Sequence, residues 1–197
     1  MNNVAISGAA VADELLNALA EQLASLGAAY EIIVIGGSAL LALGLVDRPT
    51  KDVDVVALSE GGTVRSARPL PLELIEARDR VARDFGLPAS WLNDGPAELV
   101  RFELPEGFLE RVERRVYGPF LTVLFASRFD LVHFKLYATV DQGPGRHEAD
   151  LRALAPTEQE LLAAARWSTT HDPSAGYLSQ LVQVLQVFGV EDARLRD

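Results

Sequence analysis

The chain has 197 residues, 49% of them apolar, no cysteine and a formal net charge of −10. That composition excludes an intrinsically disordered chain, disulfide bonding and thiolate metal sites. Its acidity disfavours non-specific adhesion to nucleic acid or anionic lipid, while leaving room for a locally basic groove. No apolar run reaches the length of a membrane span, and no basic region precedes Val4-Ala5-Ile6, so the expected location is the cytoplasm, with no membrane partner.

The first predicted element is an amphipathic helix over residues 12–26. Ala12, Leu15, Leu16, Leu19, Leu23 and Leu26 recur at helical spacing, and Gly27 follows as a stop. Residues 31–58 then carry the chemistry. A β-branched run, Ile32 to Ile35, breaks at Gly36-Gly37; Ser38 and a short apolar helix (39–43) follow, closed by Gly44. A polar loop, Asp47-Arg48-Pro49-Thr50-Lys51, leads into a strand carrying Asp52 and Asp54. Alternation along a strand directs both carboxylates to one face and Val53 and Val55 to the core. Neighbouring carboxylates repel one another, and a cation such as Mg²⁺, which prefers carboxylate and phosphate oxygens, relieves the repulsion. Gly36-Gly37-Ser38 at a helix start offers phosphate a set of unhindered backbone N–H groups. Together these features describe a site for a Mg-nucleoside triphosphate. The plainer alternative is a tight strand-to-helix turn followed by two solvated aspartates. A Rossmann dinucleotide site is disfavoured, because the glycine triplet is missing and the next strand carries two aspartates.

Residues 59–68 read as a loop containing Gly61-Gly62, Arg65 and Arg68, and residues 71–85 as a helix stopped by Gly86. A structured loop follows over 87–96. Leu87, Trp91 and Leu92 pin it to the core, and Asn93-Asp94 either form a turn or reach a nucleotide. Residues 98–107 carry no clear pattern. Two strands, 111–117 and 120–125, join at Gly118-Pro119 as a hairpin; the first is two-sided polar like an edge strand, the second apolar throughout. Ser127-x-x-Asp130 opens a helix to Val140, with Phe129, Val132, Leu136, Tyr137 and Val140 as its inner face. Lys135 stands in its apolar middle, either snorkelling to the surface or facing phosphates. After Gly143 to Arg146, His147 to Leu154 form a helical stretch that includes Asp150. Thr157-x-x-Glu160 is a capping box opening a helix through Trp167. Asp172-Pro173 fits the N-cap and first turn of a last helix, 174–188, whose apolar residues lie on more than one face and offer a surface to a protein partner or a second copy.

The ordered set Ile35-Gly36-Gly37-Ser38, short helix, Arg48-x-Thr50-Lys51-Asp52-Val53-Asp54 resembles the nucleotidyltransferase superfamily, with its DNA-polymerase-β-like catalytic fold. It is most similar to minimal bacterial nucleotidyltransferases of the abortive-infection toxin type and their uncharacterised relatives. The later order, Asp130-Leu131, Lys135-Leu136, a loop and Asp150-Leu151, resembles that group's later motifs, in which a lysine and a further aspartate complete the site. The resemblance implies catalytic roles for Asp52, Asp54, Lys135 and Asp150, with Mg²⁺ on Asp52 and Asp54. It implies nucleotide binding by Gly36, Gly37, Ser38, Arg48 and Thr50. The third carboxylate that the superfamily often takes from a later strand is missing from Leu121 to Phe125, and Glu113 is the nearest substitute.

The fold expected is α/β (α+β): a small mixed sheet of nucleotidyltransferase type, flanking helices and a helical C-terminal extension. One domain is expected, with a core over about 1–142 and a helical part over about 147–197. The function expected is Mg-dependent transfer of a nucleoside monophosphate from a nucleoside triphosphate to an unidentified hydroxyl acceptor, with RNA and protein among the candidates. The alternative is a catalytically incomplete nucleotide- or partner-binding module, part of a toxin–antitoxin pair.

Overall fold

The computed structural model describes residues 6–191, the side chain of Phe102 excepted, so Val4-Ala5 lies outside the described residues. The chain forms two compact units, Met1–Ser127 and Arg128–Asp197.

The first unit opens with α1 (Ala9–Leu26), which buries Ala12, Leu15, Leu16, Leu19 and Leu23. Gly27 ends it in the left-handed region at φ 66°, its N–H donating to Ala24 O while Ala28 N–H donates to Leu23 O. There follow β1 (Tyr30–Ile35), α2 (Gly36–Ala42), β2 (Val53–Glu60), β3 (Thr63–Ser66) and α3 (Leu72–Phe85). A 3₁₀ turn (Ala89–Trp91), β4 (Leu92–Asn93), a second 3₁₀ stretch (Gly95–Phe102), α4 (Phe108–Arg111), β5 (Glu113–Val116) and β6 (Leu121–Phe125) complete it.

The six strands make one mixed sheet in the order β3-β2-β1-β6-β5, with β4 pairing with β2 beside β3. β1 runs antiparallel to β2 and parallel to β6. Its Ile32, Ile33, Val34 and Ile35 are all buried, as a strand covered on both faces requires. This is the mixed α/β architecture expected from the sequence.

Several local expectations are revised. Residues 59–68 hold a hairpin, not a loop: Gly61 and Gly62 both take positive φ (58° and 85°), and Glu60 pairs with Thr63. Two positive-φ residues between strands match the twist that antiparallel neighbours need. Asp52 stands one residue before β2 rather than within it. Arg111 closes a short helix, and the strand after it starts at Glu113. The 118–119 hairpin stands as expected, with Tyr117 N–H donating to Leu121 O.

Among the described residues the second unit is helical: α5 (Arg128–Gln142), α6 (Arg146–Ala153), α7 (Glu158–His171) and α8 (Ala175–Val187). The Thr157–Glu160 capping box forms with both of its bonds. The cap of α8 is Ser174, whose hydroxyl accepts from Tyr177 N–H. Asp172 instead accepts the Ser174 N–H at 2.9 Å, one step earlier in the same turn. Arg128 joins three segments here: its guanidinium donates to Leu154 O at 2.6 and 2.9 Å and to Glu160 at 2.6 Å. No described helix is long and apolar enough to cross a membrane.

Candidate active site

Strand register builds the site. Asp54 lies opposite Ile35, the last residue of β1, so the turn into α2 passes directly over the Asp54 carboxylate. Between Ile33 and Val34 the β1–β2 register slips by one residue, a bulge of the kind that re-aims side chains beside functional sites.

The two glycines of the turn are required by close approach. Gly36 sits at φ 78°, and a β-carbon there would overlap Asp54 Oδ2. At Gly37 a β-carbon would stand 2.7 Å from Thr50 Oγ1 and 3.7 Å from Arg48 Nη2. The helix begins at Gly36, so Gly37 and Ser38 lie in its first turn, where backbone N–H groups have no intrahelical acceptor. Ser38 is 1% exposed and its hydroxyl donates to Ile35 O.

Thr50 is also 1% exposed. Its backbone exchanges both hydrogen bonds with Ile6, and its hydroxyl reaches Asp52 O at 3.4 Å, which fixes the chain just ahead of the aspartates. Gly36, Gly37, Arg48, Thr50 and Asp54 are thus brought together in the first unit. Lys51, in the same loop, is exposed.

The two aspartates differ. Asp52 Oδ1 is buried and has no hydrogen-bond partner. Asp54 Oδ1 accepts from Asn93 Nδ2 at 3.2 Å. A buried carboxylate oxygen without a donor is costly unless a cation or a donor reaches it. Together with a second carboxylate and a glycine-lined turn, it fits a hard divalent cation that takes its remaining ligands from phosphate and water. Among the described residues no group of three or more His, Asp or Glu that could hold a metal ion stands together.

Glu113 does not supply a third. It pairs with Phe125 on β6, three strands from β2, which at the usual strand spacing is about 14 Å across the sheet. Its carboxylate is taken by Arg115 at 2.6 Å.

A model of a nucleotidyltransferase family of unknown function (DUF6036) matches residues 14–144 of the chain. The chain belongs to this nucleotidyltransferase family. No curated protein and no solved structure matches it.

The matched span of the chain holds the glycine turn, both aspartates, Asn93 and Lys135, and ends before Asp150. In the second unit Lys135 is not a surface lysine. Its Nζ lies 2.7 Å from Asp150 Oδ2, with side-chain exposures of 4% and 1%. The two residues singled out from the later motifs therefore meet each other in a buried ion pair. α5 buries Asp130 and His133 as well, so it is covered more widely than its apolar stripe implies. His147, one turn before Asp150, bonds Gln142 Oε1 at 3.1 Å.

Asn93-Asp94 divides its roles. Asp94 holds Arg68, through its main-chain oxygen at 3.2 Å and its carboxylate at 3.4 Å, whereas Asn93 faces Asp54. Sequence pattern alone leaves open which of the two points inward. The available signal is Trp91-Leu92, a fully buried pair that forces the next residue onto the sheet.

Proposed function

We propose that this protein transfers a nucleoside monophosphate from a nucleoside triphosphate to a hydroxyl on RNA or protein, using Mg²⁺ held by Asp52 and Asp54. The observation that carries this reading is the Asp54 carboxylate seated against Gly36, beside a second aspartate with a buried, unpartnered oxygen. Mg²⁺, when bound, supplies charge neutralisation across the phosphate oxygens. Asp52 and Asp54 would hold it through their carboxylates. The N–H groups of Gly37 and Ser38 receive phosphate oxygens, and the bare Cα of Gly36 lets the phosphates approach Asp54. Arg48 and Thr50 line the same turn, the first supplying positive charge and the second setting the loop.

The roles of Lys135 and Asp150 in transfer belong to the same proposal, through the order of the later motifs. Their pairing supports it: a buried ion pair contributes little net stability over an apolar pair of similar volume, so a functional reason for keeping it gains weight. The role that the motif order implies for Lys135 is to offset negative charge that develops as the acceptor oxygen attacks the α-phosphorus and pyrophosphate leaves.

The test is incubation with each labelled nucleoside triphosphate, Mg²⁺ and total cellular RNA or protein. Label transfer lost in Asp52→Asn, with the fold intact, supports transfer at this site; transfer unchanged in that variant rejects it. Nucleotide binding with no transfer to any acceptor favours the second reading, a nucleotide-binding module. The observation on its side is the sheet itself, where β6 carries no carboxylate. A toxin–antitoxin role, implied by the motif resemblance, is part of the proposal, and growth arrest on expression, dependent on Asp54, tests it.

A further inference from the structure

We propose that Asn93 is a positioning residue for Asp54, holding one carboxylate oxygen so that the other is presented to the glycine turn. The inference rests on the reading of Asp52 and Asp54 as the cation-holding pair.

Three observations converge on it. The first is register. β4 is only two residues long, yet it pairs parallel with β2 so that Leu92 meets Val53 and Asn93 meets Asp54. The second is the orientation of the amide. Gly95 N–H donates to Asn93 Oδ1 at 2.8 Å, which turns Nδ2 toward Asp54 Oδ1 at 3.2 Å. An amide with its oxygen fixed by a backbone donor has its NH₂ end assigned, so Asn93 acts as a donor to the carboxylate. The third is the rigidity behind it. Trp91 is fully buried and its indole N–H donates to Arg78 O at 3.0 Å, while Arg68 grips Asp94 on the other side.

The division of the Asp54 carboxylate follows. Oδ1 faces Asn93, and Oδ2 faces the Cα of Gly36, where phosphate and cation would enter. A carboxylate held by a second residue enters a metal site already oriented, and losing such an outer partner typically lowers metal affinity about 10–100-fold. Aspartate at position 93 would keep the turn but put a negative oxygen against Asp54. Serine would keep a turn acceptor for Gly95 N–H while being too short to reach Asp54.

The probe is Mn²⁺, titrated by electron paramagnetic resonance with and without ATP, alongside thermal unfolding of the same samples. Asn93→Ser is expected to weaken Mn²⁺ binding about 10-fold or more with its unfolding midpoint close to that of the parent. Gly95→Ala is the second variant. Its new β-carbon would stand 2.8 Å from Asn93 Oδ1 and must displace the amide, so it should weaken Mn²⁺ binding without altering Asn93 itself. It decides the matter if Asn93→Ser does not fold. If the parent binds Mn²⁺ and both variants bind it equally well, the positioning role is wrong and the functional reading stands. Weakening that only tracks a lowered midpoint makes Asn93 a structural residue and likewise overturns the proposal. A parent that binds no Mn²⁺ in either arm removes the cation-holding pair, and this inference with it.

Discussion

Gly36→Ala and Gly44→Ala separate backbone strain from a clash with the Asp54 carboxylate. Both glycines are left-handed, at φ 78° and 66°, so alanine at either position incurs the steric cost of that region, about 1 kcal/mol. At Gly44 a β-carbon meets nothing within 4 Å, and the cost ends there. At Gly36 the β-carbon overlaps Asp54 Oδ2 and lies 3.1 Å from its Cγ, so the carboxylate must swing away and release Asn93. A hydrogen bond to a charged group contributes about 1.5–3 kcal/mol, which brings the expected loss at Gly36 to roughly 3 kcal/mol. For a chain of this size Gly44→Ala should lower the melting temperature by about 3 °C and Gly36→Ala by about 8 °C. The functional readout is sharper: calorimetry should find Mg-triphosphate binding intact in Gly44→Ala and lost in Gly36→Ala. If the two variants melt together and both bind like the parent, Gly36 is an ordinary turn glycine and the geometry of the site has been misread.

Three further outcomes are expected. Lys135→Met leaves Asp150 as a buried charge without its lysine and should destabilise the protein by about 3–5 kcal/mol, whereas Lys135→Met with Asp150→Leu should recover most of that loss in thermal melts. The hydrogen bonds from Arg128 hold the Glu160 carboxyl below the usual range, so the stability they supply is present above the unfolded carboxyl pKa of about 4.3 and is lost as pH falls through the folded value. The difference in urea midpoint between the parent and Glu160→Gln should therefore shrink on acidification below that range, and a constant difference would count against the clamp. Burial, and then the bond to Glu73 at 2.9 Å, push the Tyr30 hydroxyl up to about 12. Ultraviolet titration should find its pKa lowered in Glu73→Gln but still above the free value, since the larger cause, burial, remains.

The glycine turn and its approach to Asp54 were legible because every part of them is local. An apolar run, two glycines and a following aspartate declare strand, turn and carboxylate within one short stretch, and the register of β1 against β2 then places Gly36 on Asp54, whereas Asp52, expected within the strand, stands one residue before it. The 61–62 hairpin was missed: Gly-Gly between extended runs is a two-residue turn signal, but the polar flanks made residues 59–68 read as a loop. What could not be read is non-local. β4 has two residues and no alternation, so nothing in Trp91-Leu92-Asn93 announces a pairing with a strand about forty positions earlier. Whether Lys135 snorkels or faces phosphates was left open, and its ion pair was not readable because its partner, Asp150, belongs to another helix. Helical periodicity marks an apolar stripe and is silent about polar residues buried in pairs, which is why Asp130 and His133 were not foreseen in the core.

The last prediction uses the asymmetry between the two aspartates. Repulsion alone suggests that removing either would leave the fold intact or stabilise it. The structure separates them. Asp52 Oδ1 is buried without a donor, so Asp52→Ala deletes an unsatisfied oxygen and should leave the metal-free protein as stable as the parent or more so. Asp54 accepts from Asn93, so Asp54→Ala leaves that amide without this acceptor and should destabilise the metal-free protein by about 1.5–3 kcal/mol. In the presence of Mg²⁺ and nucleoside triphosphate the contrast must vanish. A ligand at about a hundred times its Kd stabilises the parent by about 2.7 kcal/mol, and each variant should lose that gain because each removes one of the two carboxylates proposed to hold the cation. Melting curves of the parent and both variants, with and without Mg-triphosphate, decide it. A variant that keeps the ligand-induced rise is not a metal-holding residue, and Asp52→Ala melting below Asp54→Ala without ligand would show that the unpartnered oxygen is satisfied in solution by something other than the cation.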